Sequence, residues 1–480
     1  MNSPRTRAEV TNYAETSTYA DVMAFLNDLK RPDIPLTIST MARSTEGRDI
    51  PLGLLGKSGP DKLMVYIQAN IHAGEVEGKE AALMLLRDIP KRFLDKLTLA
   101  VAPIYNADGN EKWGDGKRNR SHQDGPARVG VRPNGQGLDL NRDCIKAESP
   151  EMRGVLKNVY EALNPDVVFD LHTTNGTRHG WHLTYAPPTH PNTPEGVLSY
   201  CRDVLLPESR RNLRRTRNWE FFDYGNAERR GNERVWATFG EEGRYVTNYA
   251  GLRGSLAVLS EAVSFLPFQF RVESTYDFVI SLLELLARDA AKIKQMRADT
   301  RLPTELGVRF TMASRGIEEV PLEKPRPESE IDHTKAPLSS DMEKVRLPIY
   351  DRWTPTKTAR VPKAYGIPGE LFSVIALLRR HGISLEPVRN PWKGQAEIFT
   401  LTELSPAPAF QGHKLLRLEG TWARTEANLP TGSFLVSTSQ PLGRLLFHLL
   451  EPEGLDGAAA WNFMDDTLKL GQPYPILKIV

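Results

Sequence analysis

The stretch "ANIHAGEVEGKEAAL", residues 69–83, contains residue types that suit two kinds of chemistry. Its glycines and lysine resemble a phosphate-binding loop, which needs glycine, four residues, and then Gly-Lys followed by serine or threonine. Here only three residues separate Gly74 from Gly78. Glu80 follows Lys79 where a hydroxyl should bind magnesium, and its charge would repel phosphate. The sequence therefore excludes a nucleotide site of this type.

The second chemistry is metal binding by His72 and Glu75. They lie three residues apart, after the apolar run "KLMVYIQ" and at the start of a predicted helix. A turn between strand and helix can point an imidazole and a carboxylate at one ion. For this pair alone, a loop histidine beside a glutamate favoured by the helix dipole is the simpler explanation. The metal hypothesis therefore depends on partners elsewhere in the chain.

Three later segments supply such partners. "GLDLNRD" brings together an acid, an amide and a base, which are Asp139, Asn141 and Arg142. "VVFDLHTT" places His172 at the end of a predicted strand, and "LAVLSEAVSF" places Glu261 near the end of another. Ligands of open α/β sheets bind at the carboxyl ends of the strands. A lone carboxylate in an apolar run also calls for a partner.

In this chain order the motifs resemble those of zinc carboxypeptidases of the carboxypeptidase A/B type, the funnelins. That family has a His-x-x-Glu pair, an Asp-x-Asn-Arg segment, a later His and a still later Glu. The segment "YNADGNEKW" also resembles the family's Asn-Pro-Asp-Gly segment, with Ala107 in place of proline. The resemblance covers roughly residues 20–298 and implies a zinc-dependent hydrolase of C-terminal peptide bonds.

The resemblance implies one zinc ion per chain, bound by His72, Glu75 and His172 with a water at the open position. Asp139 would accept the other ring N–H of His72 and fix its orientation. Zinc would acidify the water and polarise the scissile carbonyl.

The resemblance also implies the acid–base and oxyanion groups. Glu261 would take the proton of the water and pass it to the leaving amine. An arginine from the loop before Asp139 would stabilise the oxyanion. The loop "GDGKRNRSHQDG" offers Arg118 and Arg120, of which Arg120 is the preferred candidate.

The substrate is expected to be a peptide or amino-acid derivative with a free C-terminal carboxylate. Asn141 and Arg142 would hold that carboxylate, the arginine through a bidentate pair. The family usually adds a tyrosine that folds over it. The spacing in "GRYVTNYAGLRG" does not decide between Tyr245 and Tyr249, and Tyr249 is the working candidate. Arg253 would share the grip on the carboxylate.

Simpler and different roles stay open at this stage. His172 is also explained as a hydrogen-bonded core histidine, and Glu261 as an ion-pair partner of Arg253. The first alternative function is that of an aspartoacylase or succinylglutamate desuccinylase, amidohydrolases with a related zinc site that act on small N-acylated amino acids. The second alternative is a non-catalytic module that binds zinc or another ligand. The large catalytic region and the Asn-Ala-Asp-Gly segment favour the peptidase.

The elements that would position these residues alternate between strand-like and helical patterns from about residue 20 to 298. Strand candidates include "KLMVYIQAN", "KLTLAVAPIYN", "PDVVFDLH" and "GSLAVLSEAV". We expect an α/β fold with a mixed, mostly parallel sheet and helices on both faces. The predicted division is a catalytic domain at 1–300, a linker rich in proline and charge at 301–344, and a smaller C-terminal α+β domain at 345–480.

Composition narrows the function further. The 480 residues carry a formal net charge of +2, which gives no case for nucleic-acid binding. No apolar stretch approaches the ~20 residues that span a bilayer. The first 22 residues lack the apolar segment of a secretory signal, so we expect a cytoplasmic protein or a processed secreted form. The two cysteines are expected to be free and buried.

Overall fold

The computed structural model describes residues 3–30, 34–299 and 301–480. Its strands are β1 Leu36–Arg43, β2 Asp49–Leu55, β3 Leu63–Ala69, β4 Leu97–Ala102, β5 Gly114–Asp115, β6 Arg128–Val129, β7 Val167–Thr173, β8 Leu183–Ala186, β9 Phe221–Asp223, β10 Asn226–Arg230, β11 Glu233–Ala237, β12 Leu256–Ala262, β13 Glu305–Glu323, β14 Met342–Arg360, β15 Ala364–Ile367, β16 Glu386–Pro387, β17 Trp392–Phe410, β18 His413–Leu429, β19 Phe434–Ser437 and β20 Leu477–Ile479.

The α-helices are α1 Arg7–Val10, α2 Tyr19–Asp28, α3 Glu77–Asp88, α4 Ala107–Glu111, α5 Gly116–Asn119, α6 Pro150–Val155, α7 Glu195–Ser199, α8 Leu206–Arg217, α9 Val246–Leu252, α10 Phe268–Arg288, α11 Ala290–Ala298, α12 Phe372–Arg380 and α13 Gly443–Leu450. Helix α6 begins at Pro150, because the Ser149 side chain caps it and proline suits the first helical position. The long helical stretch from Phe268 to Ala298 is interrupted at Asp289, between α10 and α11.

The N-terminal unit is built on an eight-stranded sheet in the order β1-β2-β4-β3-β7-β12-β8-β9. Its centre, β4-β3-β7-β12, is parallel, whereas β1, β2 and β8 pair antiparallel with their neighbours toward the centre. Every residue of β3, β4 and β7 is buried, which requires cover on both faces. The predicted mixed, mostly parallel sheet is confirmed.

The segment predicted as a linker, 301–344, contains β13 and the start of β14, which form a two-stranded ribbon. β13 pairs antiparallel with β14 over nearly the full 19 residues of each strand. β14 also pairs in parallel with β11, which joins the ribbon to the N-terminal unit. Within the predicted linker, 301–304 and 324–341, the latter densest in proline and charge, lie outside the strands. Pro321 lies on β13, the edge strand of its sheet, where a missing N–H donor is tolerated.

The C-terminal unit is a six-stranded antiparallel sheet in the order β16-β19-β15-β20-β17-β18, with α12 and α13. Its long hairpin β17–β18 turns through Gln411 and Gly412, whose φ angles are 49° and 82°. Positive φ at both residues matches the twist of a two-residue hairpin loop. Buried residues of both units form one continuous apolar cluster.

Two further expectations concern membrane-spanning helices and the cysteine thiols. Among the described residues, no helix is both long enough and apolar enough to cross a membrane. Cys144 and Cys201 are free and buried, as predicted.

Candidate active site

Three parallel strands end side by side at one edge of the large sheet. β3 and β7 pair Ala69 with Leu171, and β12 pairs Glu261 with His172. Alternate residues of a strand share a face, and paired residues of parallel strands point the same way. Asp170, His172 and Glu261 therefore project on one face of the sheet. Strand pairing alone brings an imidazole and two carboxylates together.

His72 and Glu75 lie in the turn between β3 and α3. Asn70 has a φ of 62°, a conformation that asparagine tolerates better than most residues. Its side-chain amide donates to the carbonyl oxygens of Ala73 and Glu75. These bonds fold the turn over the strand ends, where both side chains meet His172.

The two glycines that imitate a phosphate loop are explained by close packing. A Cβ atom on Gly74 would lie 2.7 Å from Cγ of Arg120. A Cβ atom on Gly78 would lie 2.8 Å from Cβ of Leu171, where α3 crosses β7. Both positions therefore require glycine for the approach of neighbouring segments.

His72, Glu75 and His172 form the candidate metal centre. All three are buried, and one ligand atom of each lies within 4.8 Å of the others. Nδ1 of His72 lies 3.0 Å from Oε1 of Glu75, and Nδ1 of His172 lies 2.9 Å from Oε2 of the same carboxylate. Two imidazole nitrogens and a carboxylate are the donor set of catalytic zinc sites that keep one position open. The residues therefore fit a zinc ion.

Each imidazole is held from behind by a second carboxylate. Oδ1 of Asp139 lies 3.0 Å from Nε2 of His72, and Oδ2 of Asp170 lies 2.8 Å from Nε2 of His172. Metal-binding histidines usually donate their other ring N–H in this way. The sequence prediction included Asp139 but missed Asp170. A signal was present, because Asp170 stands two residues before His172 and so shares its face of β7.

The charges of the carboxylates suit these roles. Burial opposes ionisation of Glu75, but His72, Arg120 and His172 outweigh it and hold the pKa of Glu75 well below its usual range. Burial likewise opposes ionisation of Asp139, but the hydrogen bond to His72 and the charges of His72, Arg132 and Arg142 together outweigh burial and lower the pKa of Asp139. Both groups are therefore carboxylates at neutral pH.

Glu261 lies in the wall of a cavity of about 260 Å³ that also contains the three candidate ligands. It is the one residue of β12 that is only partly buried. Burial raises the pKa of Glu261 to about 8, while His172 lowers it and Glu75 raises it. A cation on the nearby ligands would favour the ionised form. Glu261 is thus a titratable group next to the metal centre.

Asn141, Arg142 and Tyr245 line the same cavity. Nη1 of Arg142 donates to the carbonyl oxygen of Asn141 at 2.7 Å, and its guanidinium lies 4.5 Å from the centre of the Tyr245 ring. The Asn141 side chain accepts a hydrogen bond from the backbone N–H of Val246 at 3.0 Å. The Asp-Leu-Asn-Arg segment and the Tyr245 segment are thereby tied together.

Arg132 lines the cavity together with Arg142, whereas the sequence prediction for the oxyanion named Arg118 or Arg120. Arg132 lines the cavity and pairs with Asp139 at 2.8 Å. Arg120 donates to Glu75 at 3.1 Å and to the carbonyl oxygens of Thr173 and Thr174. Arg118 is exposed. The role predicted for Arg120 stays a prediction, and the structure adds Arg132 as a second candidate.

Tyr249 and Arg253 are not among the residues that line the cavity, so no geometry here supports their predicted role in substrate binding. The Tyr249 side chain is buried, and its hydroxyl lies 2.7 Å from Nδ1 of His381 in the C-terminal unit. Arg253 donates to the Tyr249 hydroxyl and to the carbonyl oxygen of His381. Of the two candidate tyrosines, Tyr245 is the one that lines the cavity.

Comparison with known proteins identifies relatives of this chain. A family model described as zinc carboxypeptidase matches residues 22–166. Carboxypeptidase 2 of Trichophyton tonsurans is 22% identical over 470 residues, which cover 91% of this chain and 81% of that protein. Carboxypeptidase B of Rattus norvegicus is 28% identical over 147 residues, which cover 27% of this chain and 34% of that protein. The metallo-carboxypeptidase structure from Burkholderia cenocepacia superposes with a TM-score of 0.43 at 18% identity, over 57% of this chain and 70% of that chain.

The family match begins before β1 and ends just before β7, so it includes His72, Glu75 and the Asp-Leu-Asn-Arg segment. The structure adds His172 and Glu261 beside them, and the fungal similarity extends over most of the chain. The chain is therefore similar to zinc carboxypeptidases over residues 22–166, and to fungal carboxypeptidase 2 over most of its length.

Proposed function

We propose that this protein is a zinc-dependent metallocarboxypeptidase that removes the C-terminal residue of peptides. One observation carries the proposal. A single cavity is lined by the candidate metal ligands, by Glu261 and by Arg142, which has no carboxylate partner among the described residues. The last residue of a peptide carries a free carboxylate next to a scissile carbonyl, and these two groups need an arginine and a metal centre.

His72, Glu75 and His172 would hold the zinc ion, with Asp139 and Asp170 fixing the two imidazoles. When bound, the ion supplies a Lewis acid that polarises a carbonyl group and makes a water molecule acidic. Because Asp139 and Asp170 accept from Nε2 of each ring, Nδ1 of each ring is left to face the ion.

Glu261 would act as general base and then as general acid. Its carboxylate takes a proton from the attacking water, holds it at the carboxyl oxygen, and delivers it to the nitrogen of the departing amino acid. The partly buried setting that raises its pKa makes it a stronger base than an exposed glutamate. The pairing of Glu261 with His172 across two strands keeps it beside the reacting carbonyl.

Arg132 would stabilise the negative charge that develops on the carbonyl oxygen. Its guanidinium reaches the cavity while its bond to Asp139 fixes one edge of it. A preorganised cation at that position favours the transition state over the bound substrate.

Arg142 would bind the terminal carboxylate of the substrate. Its contacts within the described residues are the Asn141 carbonyl oxygen and the face of Tyr245, and neither neutralises its charge. A guanidinium so placed can take a carboxylate in a bidentate pair. The Tyr245 hydroxyl is available to donate to the same carboxylate.

The remaining wall of the cavity favours an apolar or aromatic side chain on the released residue. Tyr224, Phe239, Thr247 and Leu259 line it, and none of them carries a charge at neutral pH. An arginine or glutamate side chain entering this part of the cavity would lose water without gaining an ion pair. We therefore expect C-terminal phenylalanine or leucine to be released faster than lysine or glutamate.

The test is a mass-spectrometric digest of a mixed peptide library by the zinc-loaded protein. The library contains peptides with free, amidated and N-acylated ends, and the Glu261→Gln variant serves as the control for contaminating peptidases. Loss of single C-terminal residues only from free-carboxylate peptides supports the proposal. Release of acyl groups would instead indicate the desuccinylase-like activity, and cleavage of neither class would indicate a binding module.

A further inference from the structure

The segment from Phe239 to Tyr245 lies between the catalytic cavity and the C-terminal unit. Phe239 and Tyr245 line the cavity. Between them, Gly243 and Arg244 are buried against the C-terminal unit. A Cβ atom on Gly243 would lie 2.6 Å from Nε2 of His448 in α13, so the backbone is in close contact there.

Asp456 of the C-terminal unit is the main anchor of this segment. Its carboxylate accepts a hydrogen bond from the backbone N–H of Arg244 at 2.7 Å, and it forms an ion pair with Nε of the same residue at 2.9 Å. Trp461 donates its indole N–H to Asp456 at 2.8 Å. The Arg244 guanidinium also lies 5.1 Å from the ring centres of Phe410 and Trp461. Arg244 is therefore fixed by an ion pair, by a hydrogen bond of its backbone N–H and by cation–π contacts with two aromatic rings.

A second anchor reaches the metal side of the site. The side-chain oxygen of Gln411, at the tip of the β17–β18 hairpin, accepts a hydrogen bond from the backbone N–H of Asp139 at 2.9 Å. Asp139 is the carboxylate that fixes His72. The C-terminal unit thus contacts the site at two places that lie 105 residues apart in the chain, since 244 minus 139 is 105.

We propose that the C-terminal unit positions the catalytic site, with Asp456 as the residue that holds the Tyr245 segment over Arg142. The proposal rests on the proposed function, because it assigns Arg142 and Tyr245 to the substrate carboxylate. Asp456 touches neither substrate nor metal and acts through Arg244. Its loss should therefore weaken substrate binding more than the chemical step.

The test compares Asp456→Asn with Glu451→Gln in the full-length, zinc-loaded protein. Glu451 is a matched control because it is also a buried carboxylate of the C-terminal unit. Among the described residues its side chain pairs with Lys478 at 2.8 Å and accepts a hydrogen bond from Tyr365, and it forms no hydrogen bond or ion pair with the Phe239–Tyr245 segment. The readouts are KM and kcat on a free-carboxylate peptide, zinc content, and hydrogen exchange of the peptide that spans residues 239–249.

We expect Asp456→Asn to raise KM on the order of 10- to 100-fold, the effect of losing a hydrogen bond to a charged group, while kcat changes less than about threefold. Exchange in 239–249 should rise, and zinc content should stay at one ion per chain. Glu451→Gln should leave KM and that exchange unchanged. Unchanged KM and exchange in Asp456→Asn, or equal changes in both variants, would overturn the proposal.

A double variant separates positioning from a general loss of stability. If Asp456 acts through Tyr245, adding Asp456→Asn to Tyr245→Phe should raise KM less than the product of the two single effects. If the double variant raised KM by the full product of the two single effects, the two residues would act independently, and the proposal would be overturned. Failure of the wild-type protein to cleave any free-carboxylate peptide would instead refute the proposed function, and the exchange measurement would still decide the positioning role.

Asp456 is buried, so its substitution by asparagine can prevent folding. Gln411 lies at the tip of a hairpin outside the core, and its variants test the second anchor without that risk. Gln411→Met removes the acceptor for the Asp139 N–H, and Gln411→Glu keeps it. We expect Gln411→Met to release zinc to a chelator about tenfold faster than wild type, because supporting contacts of metal ligands have effects of that size. Equal zinc release by the two variants would overturn the role of this anchor.

Discussion

The two arginines near Glu75 give the sharpest test of the site, because their contacts differ. Arg132 lines the cavity and lies 3.6 Å from Glu75, whereas Arg120 donates to Glu75 at 3.1 Å. We expect Arg132→Ala to lower kcat on the order of 100- to 1000-fold, which corresponds to about 2.7–4 kcal/mol of transition-state stabilisation. Zinc affinity should fall less than about tenfold, because Asp139 keeps its bonds to His72 and to the backbone of Asn141.

Arg120→Ala should show the opposite pattern. Its removal leaves the carbonyl oxygens of Thr173 and Thr174 without their donor and withdraws a cation from Glu75. Zinc affinity should fall about 10- to 100-fold, the usual effect of losing a supporting contact of a ligand. At saturating zinc, kcat should stay within about threefold of wild type.

The assay measures zinc affinity by competition with a chromogenic chelator, and kcat at saturating zinc and substrate. Arg118→Ala is the control, since Arg118 is an exposed arginine of the same loop and should change neither quantity. If Arg120→Ala lost 100-fold in kcat at full zinc occupancy while Arg132→Ala kept its rate, the assignment from the cavity wall would be refuted.

Three further predictions follow from individual side chains. Glu261→Gln should keep one zinc ion per chain and lose several orders of magnitude in turnover; more than a tenth of the wild-type rate would contradict its role as base. Tyr245→Phe should raise KM for free-carboxylate peptides, whereas Tyr249→Phe should lower thermal stability and leave KM unchanged, as parallel kinetics and melting curves would show. Glu151 is fully buried, and burial raises its pKa to about 7 from 4.5. The unfolded chain therefore loses this proton before the folded chain does, so wild-type stability should fall between pH 4.5 and 7 by up to about 3 kcal/mol relative to Glu151→Gln. Denaturant unfolding at several pH values measures the difference in stability between the two proteins. A difference that did not change with pH would refute the prediction.

The meeting of His72, His172 and Glu261 could be predicted because each of them follows an apolar run or lies near the end of one. Parallel strands place their carboxyl ends at one edge of the sheet. The proximity of His72, His172 and Glu261 can therefore be predicted without knowing the loop conformations. The same reasoning extends to Asp170, which the period of two along β7 places beside His172.

The loop residues were not predictable from spacing. Arg118, Arg120 and Arg132 stand in a segment between β4 and the Asp-Leu-Asn-Arg motif that has no long regular element, so sequence distance does not fix which of them reaches the cavity. The two tyrosines differ for a local reason. Tyr245 precedes the first residue of α9 with an extended backbone, so it points to the cavity, while Tyr249 lies one turn into the helix and points to the core.

Contacts between the two units were beyond sequence reasoning altogether. Arg244 and Asp456 are 212 residues apart, and neither lies in a pattern that indicates the other. The supposed linker added to the difficulty, because its prolines suggested separate domains, whereas the buried apolar cluster is shared.

The β13–β14 ribbon has a consequence for how the chain would respond to a protease. The connection at 324–341 is the exposed part of the ribbon, and a cut there would divide the chain into two fragments. Each fragment would keep one long strand of the ribbon, and the ladder between these strands would still join them. The smaller fragment would also keep the anchors on Arg244 and Asp139. A nicked molecule should therefore travel as a single particle on a sizing column and separate into two bands only in denaturant.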